Sequence, residues 1–297
     1  MSNKPRKMTL EKKHNLTGWA FLAPATFLIA VFSFWPMIKA LVLSFQTGKG
    51  RNMQMAGFTN YIRMFQDDVF IQSIKNTFFY FILQVPIMLV VAMVLACILN
   101  KKDLRFKGFF RTMIFLPCTT SLVAYSIIFR SLFANDGLVN YVLVNLGILD
   151  KPYNFLTQPF AAKMVIILAL LWRWTGYNMV FFLSGLQNIE YSVYEAAKID
   201  GASAIQTFFK ITVPLLKPTI LLTAIMSTNG TLQLFDESIN LTDGGPANAS
   251  ISMSHYIYNL CFKYVPNFGY AAAMSFFILL LVAVLALIQM RVGDKRD

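Results

Sequence analysis

The 297-residue sequence has little charge, few cysteines and only two histidines. Asp, Glu, Lys and Arg make up 13% of the residues, whereas a soluble domain usually contains about 25%. The three cysteines, Cys97, Cys118 and Cys261, are widely spaced and form no CxxC pair. We interpret them as small packing residues rather than as a disulfide framework or a metal site. The shortage of charge argues against an independent soluble domain.

Motifs for enzyme chemistry are also missing. The sequence has no GxxxxGK[ST] phosphate loop, which excludes an ATPase within this chain. His14 and His255 fall in a tail and an outer loop without an HExxH pair, and no nucleophile–base set stands out. We therefore expect no catalytic residue, no metal site and no cofactor in this chain.

Long apolar runs dominate the sequence, in which 57% of the residues are hydrophobic. A helix needs about 20 mostly apolar residues to cross a bilayer. Pro24 and Pro36 predict a kink in the first such run. Six runs qualify, which predicts an all-α integral membrane protein with six transmembrane helices: Thr17–Gln46, Asn76–Leu99, Thr112–Phe133, Ala161–Gln187, Pro218–Asp236 and Gly269–Met290.

The net charge of +12 could suggest nucleic acid binding, but the basic residues lie beside the apolar runs, as in membrane topology signals. One set of flanking segments holds 16 Lys and Arg in 65 residues: 1–16, 100–111, 188–217 and 291–297. The opposite set holds six in 88 residues: 47–75, 134–160 and 237–268. The denser side is predicted to be cytoplasmic. We expect a multi-pass protein with both termini in the cytoplasm and no nucleic acid partner.

The basic leader Lys4–Lys13 runs straight into the first span, unlike a cleaved signal peptide.

The 188–217 segment is too long for an unstructured loop. Tyr191–Lys198 has helical spacing and good helix formers, and Gly201 can end that helix in a left-handed conformation. A second helix is predicted over Ser203–Thr212, after which Pro214 turns the chain into the next span. Periodicity alone allows two interpretations, an amphipathic hairpin on the bilayer surface or a docking element for a cytoplasmic protein.

The same segment carries a family resemblance. Glu195-Ala196-Ala197, three residues, Gly201, nine residues and then Ile211-x-x-Pro214 resembles the "EAA" loop of bacterial ABC-importer permeases, with Val213 in place of the usual Leu. The stretches 104–111, 172–179 and 241–246 are also similar to the family's patterns. Together they point to the carbohydrate-uptake branch and to its maltose-transporter-like first permease subunit.

The resemblance implies a type I ABC importer transmembrane fold in a bacterial cell membrane. Its first helix would be 17–46, followed by an extracytoplasmic loop at 47–75 and a core at 76–290, with tails at 1–16 and 291–297. The implied partners are a second permease subunit, two ATP-binding subunits that use Mg-ATP, and an extracytoplasmic sugar-binding protein. The implied coupling residues are Glu195, Ala196, Ala197, Asp200, Gly201, Ile211 and Pro214.

Polarity and depth suggest a substrate path. Arg173 lies ~18 Å into the fourth span and Asn229 ~16 Å into the fifth, near the middle of a ~30 Å core. Asn229, Gln233 and Asp236 follow i, i+4, i+7 spacing and are predicted to share one helix face, while Trp172 and Trp174 offer apolar faces for sugar rings. Our candidate path residues are Arg173, Gly176, Asn178, Asn229, Gly230, Thr231, Gln233 and Asp236. The alternative is that the polar members only pack helices together.

Two other functions remain open at this point. A stand-alone secondary carrier or channel would need ion-coupling carboxylates, for which Asp236 is the one candidate inside a predicted span. The same importer machinery could instead carry another small solute, such as glycerol phosphate, which Arg173 would suit.

Overall fold

The computed structural model describes residues 10–49, 52–101 and 103–293, so the predicted tails 1–16 and 291–297 lie partly outside the described residues. Gln46–Lys49 (β1) and Asn52–Met55 (β2) form an antiparallel hairpin. Short π-helical stretches cover Ala30–Phe34, Phe208–Thr212 and Asn259–Lys263. The α-helices of the described part are α1 (Leu10–Ile29), α2 (Trp35–Ser44), α3 (Thr59–Met64), α4 (Asp68–Asn100), α5 (Lys107–Thr119), α6 (Leu122–Leu132), α7 (Leu138–Asn145), α8 (Pro159–Gln187), α9 (Tyr191–Ile199), α10 (Ala204–Thr207), α11 (Val213–Leu215), α12 (Lys217–Leu232), α13 (Asp236–Thr242), α14 (Met253–Tyr258) and α15 (Phe268–Gly293).

Six apolar segments follow one another in the predicted order when each bent pair is counted as one span. The helices α4, α8 and α15 are each long enough to cross a membrane, as is the segment Leu10–Ser44 that α1 and α2 form together. The π stretch of that segment lies between Pro24 and Pro36, where we predicted a kink. The prediction of an all-α membrane protein with six spans is confirmed.

Two predicted spans are wrong as single straight helices. The third, Thr112–Phe133, is divided into α5 and α6, whose axes differ by 98°. The fifth, Pro218–Asp236, is interrupted because α12 ends at Leu232. The 70° bend that precedes it, between the segment Ala204–Leu215 and α12, lies where Pro214 was predicted to turn the chain. The apolar pattern runs through the α5–α6 bend and past the end of α12, so it indicates burial but not the direction of the helix.

The centre of the fold is the pair α4 and α8, with α5 on one side of α8 and α12 against α4. One apolar cluster of this pair includes Ala92, Met93, Phe182 and Leu183. Small residues such as Ala92 let the two backbones approach closely, which is how helices pack within a bilayer. This packing fixes the positions of α8 and α12, on which most of the candidate path residues lie.

Asp67 connects three helices at one end of the fold. Its carboxylate caps α4 by accepting hydrogen bonds from the backbone N–H groups of Val69 and Phe70, and it also accepts 2.7 Å bonds from the hydroxyls of Tyr256 and Tyr270. Burial raises the pKa of Asp67, but these four donors together hold it below its ordinary value. Asp67 therefore joins the starts of α4 and α15 to α14.

Candidate functional site: a cavity at a broken helix and an exposed helical loop

A cavity of about 290 Å³ lies among α4, α8 and α12, where α12 gives way to α13. This volume is at the lower end of the range for small-molecule sites, roughly 300–1,000 Å³. The cavity combines apolar and polar walls. The polar and acidic lining residues are Gln84, Asn178, Ser227, Thr231, Gln233, Asp236 and Glu237.

The polar wall is connected across three helices. Thr231 on α12 donates a 2.9 Å hydrogen bond to the Gln84 side-chain oxygen on α4. Ser227 on α12 donates to the Asn178 side-chain oxygen on α8 at 3.3 Å, and the Asn178 amide donates to the Trp174 carbonyl at 3.0 Å. Because each amide is held by a neighbour, the wall has a fixed orientation while further acceptor and donor positions face the cavity.

An aromatic wall faces the polar one. Trp174 and Tyr177 on α8 meet edge to face, with ring centroids 5.8 Å apart and planes at 86°. Both rings line the cavity, as does Phe235 in the break between α12 and α13. Trp172 does not line it and packs instead against Tyr125 and Phe129. Aromatic faces beside hydroxyl and amide groups suit a ligand that has both C–H faces and hydroxyls.

Five of the eight candidate path residues line this cavity, namely Asn178, Gly230, Thr231, Gln233 and Asp236. Asn229 is outside the lining but accepts a hydrogen bond from the Gln233 amide. The predicted shared helix face is wrong for Asp236, because α12 ends at Leu232 and Asp236 starts α13. The break, rather than helical periodicity, brings Asp236 to the cavity.

Arg173 faces away from the cavity. Its guanidinium donates to the Thr120 carbonyl at 2.8 Å and to the carbonyls of Pro117 and Cys118 at 3.3 Å. It also lies over the rings of Tyr125 and Trp174, at 4.7 and 5.3 Å from their centroids. These carbonyls belong to the corner between α5 and α6, where the helical hydrogen-bond ladder stops. The geometry corresponds to the packing alternative for Arg173, because its buried guanidinium donates hydrogen bonds to carbonyls at the interruption between the two helices.

Gly176 also faces a neighbouring helix. A Cβ atom placed on Gly176 would overlap the backbone carbonyl of Ile114 on α5. Gly230, by contrast, has no atom within 4 Å of a built Cβ and does line the cavity. Gly176 therefore sets the approach of α5 to α8, and the substitution of any larger residue must push two backbones apart.

Glu237 is a lining residue that sequence reasoning missed. We assigned it to the outer loop, but its side chain is only 3% exposed and accepts a hydrogen bond from the Tyr125 hydroxyl on α6. The available signal was the acidic pair Asp236–Glu237 directly after an apolar span. Buried carboxylates are rare without partners, so an acidic pair directly after an apolar span can be interpreted as part of the same site as the end of that span.

The 188–217 segment contains the predicted pair of helices. The first is α9, and Gly201 follows it with φ of 76°, the left-handed conformation that we expected. Ser203 caps the second helix by a reciprocal capping box with Gln206. Pro214 lies in α11, just before the bend into α12.

One side of this pair is anchored to the rest of the chain. Ala197 is buried, Phe208 packs against the α4–α8 cluster, and the hydroxyls of Tyr194 and Thr212 are 3.3 Å apart. Ala197 therefore packs inward, while Ala196 is exposed. Ile211 is half-buried.

The other side exposes large apolar side chains. Ile199 is 85% exposed, Ile205 72% and Phe209 65%. Glu195, Asp200 and Gly201 are also exposed, and nothing lies within 4 Å of a Cβ built on Gly201. An apolar patch rimmed by charges is typical of an interaction surface. We call this surface, formed by the exposed residues of 191–209, the loop face.

Comparisons with known proteins place this arrangement in a family. Residues 70–296 match the model of the binding-protein-dependent transport system inner membrane component family. The lactose transport system permease protein LacF of Rhizobium radiobacter is 51% identical over 98% of both chains. The multiple sugar-binding transport system permease protein MsmF of Streptococcus mutans is 33% identical over 97% of this chain and 99% of its own.

A solved structure has the same fold. It is a bacterial ABC transporter involved in the import of the acidic polysaccharide alginate, and one of its chains superposes with a TM-score of 0.85 over 97% of this chain and 98% of its own, at 24% identity. The chain studied here therefore belongs to the family of inner membrane components of binding-protein-dependent transport systems.

Proposed function

We propose that this chain is a permease subunit of an ATP-driven sugar importer and forms half of the translocation path. The observation that carries the proposal is the cavity at the α12–α13 break, which combines hydroxyl and amide groups with the rings of Trp174 and Tyr177. Sugars present hydroxyls at their edges and C–H groups on their faces, and this wall matches both. The names of LacF and MsmF, relatives covered over nearly their full length, support sugar as the cargo.

The loop face is the element through which ATP hydrolysis reaches the path. Its inner side is anchored by Ala197 and Phe208, while Ile199 and Phe209 extend outward. A partner that grips the outer side moves the anchored side with it, and the anchored side continues through Pro214 into α12. We assign the partner as two ATP-binding subunits, because this chain has no phosphate loop of its own.

Transport then follows alternating access. A loaded extracytoplasmic binding protein docks on the outer segments of this chain and of a second permease subunit. Closure of the ATP-binding subunits pulls on the loop face and turns the cavity outward to take the sugar, and hydrolysis with Mg-ATP resets it inward. Both termini lie in the cytoplasm of a bacterial cell, as the distribution of Lys and Arg favours.

The test is ATP hydrolysis and uptake of radiolabelled lactose in proteoliposomes, with the complex purified through a tag on this chain. Glu195→Ala and Gly201→Asp are compared with wild type. The matched control is Gly147→Asp, because Gly147 also has a positive φ, of 70°, and open space around it, but lies in an outer segment. We expect Gly201→Asp to reduce coupled uptake at least about ten-fold and to release the ATP-binding subunits, which Gly147→Asp retains.

Two results would change the proposal. If the chain purifies alone and transports lactose without ATP, the stand-alone secondary carrier replaces the importer. If ATP-driven uptake occurs for glycerol phosphate and not for lactose, the machinery is the same and the cargo is different.

A further inference from the structure

We infer that the cavity selects uncharged sugars, because its lining contains the carboxyl groups of Asp236 and Glu237 without a cationic side chain and therefore disfavours anionic ones. The inference rests on the proposed function and narrows its substrate class. The fold does not decide this point, since the protein of the same fold described above is named for the import of an acidic polysaccharide.

The charge balance of the lining is one-sided. In the described part of the chain, the cavity wall includes the carboxyl groups of Asp236 and Glu237 and contains no Lys, Arg or His. Arg173 is not a lining residue: its guanidinium lies over the rings of Tyr125 and Trp174 and donates to carbonyls of the α5–α6 corner, and its charge acts on Glu237. Burial raises the pKa of Glu237, so Asp236 is the acidic residue that gives the wall its charge, and no lining residue carries a positive charge that would balance an anion.

Hydrogen-bonding capacity points the same way. The carboxyl group of Glu237 accepts a hydrogen bond from the Tyr125 hydroxyl, and the carboxylate of Asp236 offers positions that only accept hydrogen bonds. Sugar hydroxyls can donate to these positions. A uronate or phosphate group is itself only an acceptor, so it would face Asp236 without a donor between them and would be repelled by its charge as well.

The α12–α13 break explains why the pair can be held there. Leu232 ends α12 and Asp236 starts α13, so the carboxyl groups of Asp236 and Glu237 lie at the first turn of a helix instead of inside a continuous span. The first turn of a helix favours negative charge. The acidic pair is therefore tolerated by the fold at this position, and it disfavours the binding of an anionic sugar.

The experiment measures the sign of the charge in the cavity without relying on transport. In the complete complex, Cys97, Cys118 and Cys261 are replaced by Ala, and one new thiol is introduced as Ser227→Cys, which lines the cavity, or as Thr157→Cys, which is exposed in an outer segment. The reaction rates with a cationic (trimethylammonium) and an anionic (sulfonate) methanethiosulfonate reagent are compared at each site.

We expect the cationic-to-anionic rate ratio at Ser227→Cys to exceed the ratio at Thr157→Cys by about ten-fold or more, as nearby unit charges require at intermediate dielectric. The added double change Asp236→Asn with Glu237→Gln should bring the two ratios together. Equal rate ratios at Ser227→Cys and Thr157→Cys, in chains that keep Asp236 and Glu237, would overturn the inference. This comparison does not depend on whether the double variant assembles.

A transport arm separates this inference from the proposed function. Labelled lactose and labelled digalacturonate, an anionic disaccharide, are offered to the same proteoliposomes. ATP-driven uptake of digalacturonate at a rate comparable to that of lactose would overturn the charge selectivity while leaving the importer intact. Failure of the proposed function would be different, because lactose would then enter without ATP whatever the thiol ratios were.

Discussion

At the residue scale, one guanidinium illustrates what polarity alone can and cannot predict. A charged side chain deep in an apolar run is recognisable from the sequence, and Arg173 is indeed 5% exposed. Its partners are backbone carbonyls of residues 117–120, more than fifty positions away, and no local pattern announces them. Asn178, Thr231 and Gln233 were predictable as cavity residues because their polarity and their location agree. Glu237 was missed because it lies on α13, after the break at the end of α12, and was assigned to the outer loop.

Removal of the Arg173 side chain should destabilise the protein. Arg173→Ala leaves three carbonyls of the α5–α6 corner, one buried and two part-buried, without their charged donor, for which we expect a loss of about 3 kcal/mol and a fall in Tm of about 8 °C. Arg173→Lys should lie in between, because an ammonium cannot span the same carbonyls at once. The measurement is thermal unfolding of the detergent-solubilised protein, with the exposed Arg130→Ala as the control. An unchanged Tm in Arg173→Ala would contradict this role.

His255 should make the outer segment sensitive to acid. Burial lowers the pKa of this histidine to about 4, although Asp243, 3.7 Å away, opposes the shift, and Ser238 lies 2.9 Å from its Nδ1. In the unfolded chain its pKa is near 6.5, so the unfolded state binds more protons between pH 6.5 and about 4. The stability that neutral His255 contributes is therefore complete above pH 6.5 and is lost as the pH falls to about 4, by about 3 kcal/mol.

The check is a series of Tm measurements across pH 4 to 7 on wild type and His255→Asn. The variant cannot titrate at this position, so its Tm should fall less than that of wild type over this range. Parallel curves would remove His255 as the cause.

At the element scale, the single-helix spans were predicted well and the broken ones were not. The fourth span was predicted from Ala161 and observed from Pro159 to Gln187, because a long apolar run with a Pro at its start is a strong local signal. The corner between α5 and α6 has no such signal except Pro117, and the residues 233–236 that follow α12 contain no Gly or Pro. The loop helices were predictable because Gly201 and Ser203 end and cap helices through residues that are close to them in the sequence.

The contact of α5 with α8 should depend on the absence of a side chain at position 176. Gly176→Ala forces a methyl group against the Ile114 carbonyl, and backbone cannot give way as a flexible side chain can, so we expect a loss of about 2 kcal/mol and a Tm lower by about 5 °C. Gly230→Ala is the matched control in α12, where open space and better helix propensity should keep or raise the Tm. Equal effects of the two changes would argue against close packing at Gly176.

At the scale of the whole molecule, the proposal requires the loop face and residues 134–160 to lie on opposite sides of the membrane. Single thiols at Ser192 and Thr157, both exposed, test this requirement in a background without the three native cysteines. In intact cells, a membrane-impermeant thiol reagent should label Thr157→Cys, whereas Ser192→Cys should react only after permeabilisation. The reverse pattern would invert the assigned topology and exclude cytoplasmic ATP-binding subunits as partners of the loop face.

The corner between α5 and α6 also has a consequence for the order of synthesis. Residues 117–120 leave the ribosome before Arg173, which follows Pro117 by 56 positions. The corner is therefore synthesised well before the side chain that donates hydrogen bonds to its carbonyls. Until the fourth helix arrives, these carbonyls lack their charged donor, although the Pro117 carbonyl accepts hydrogen bonds from the backbone N–H and the hydroxyl of Thr120. The third span is therefore expected to settle in the bilayer late, together with the fourth, and a nascent chain truncated before Arg173 should hold only the first two spans stably.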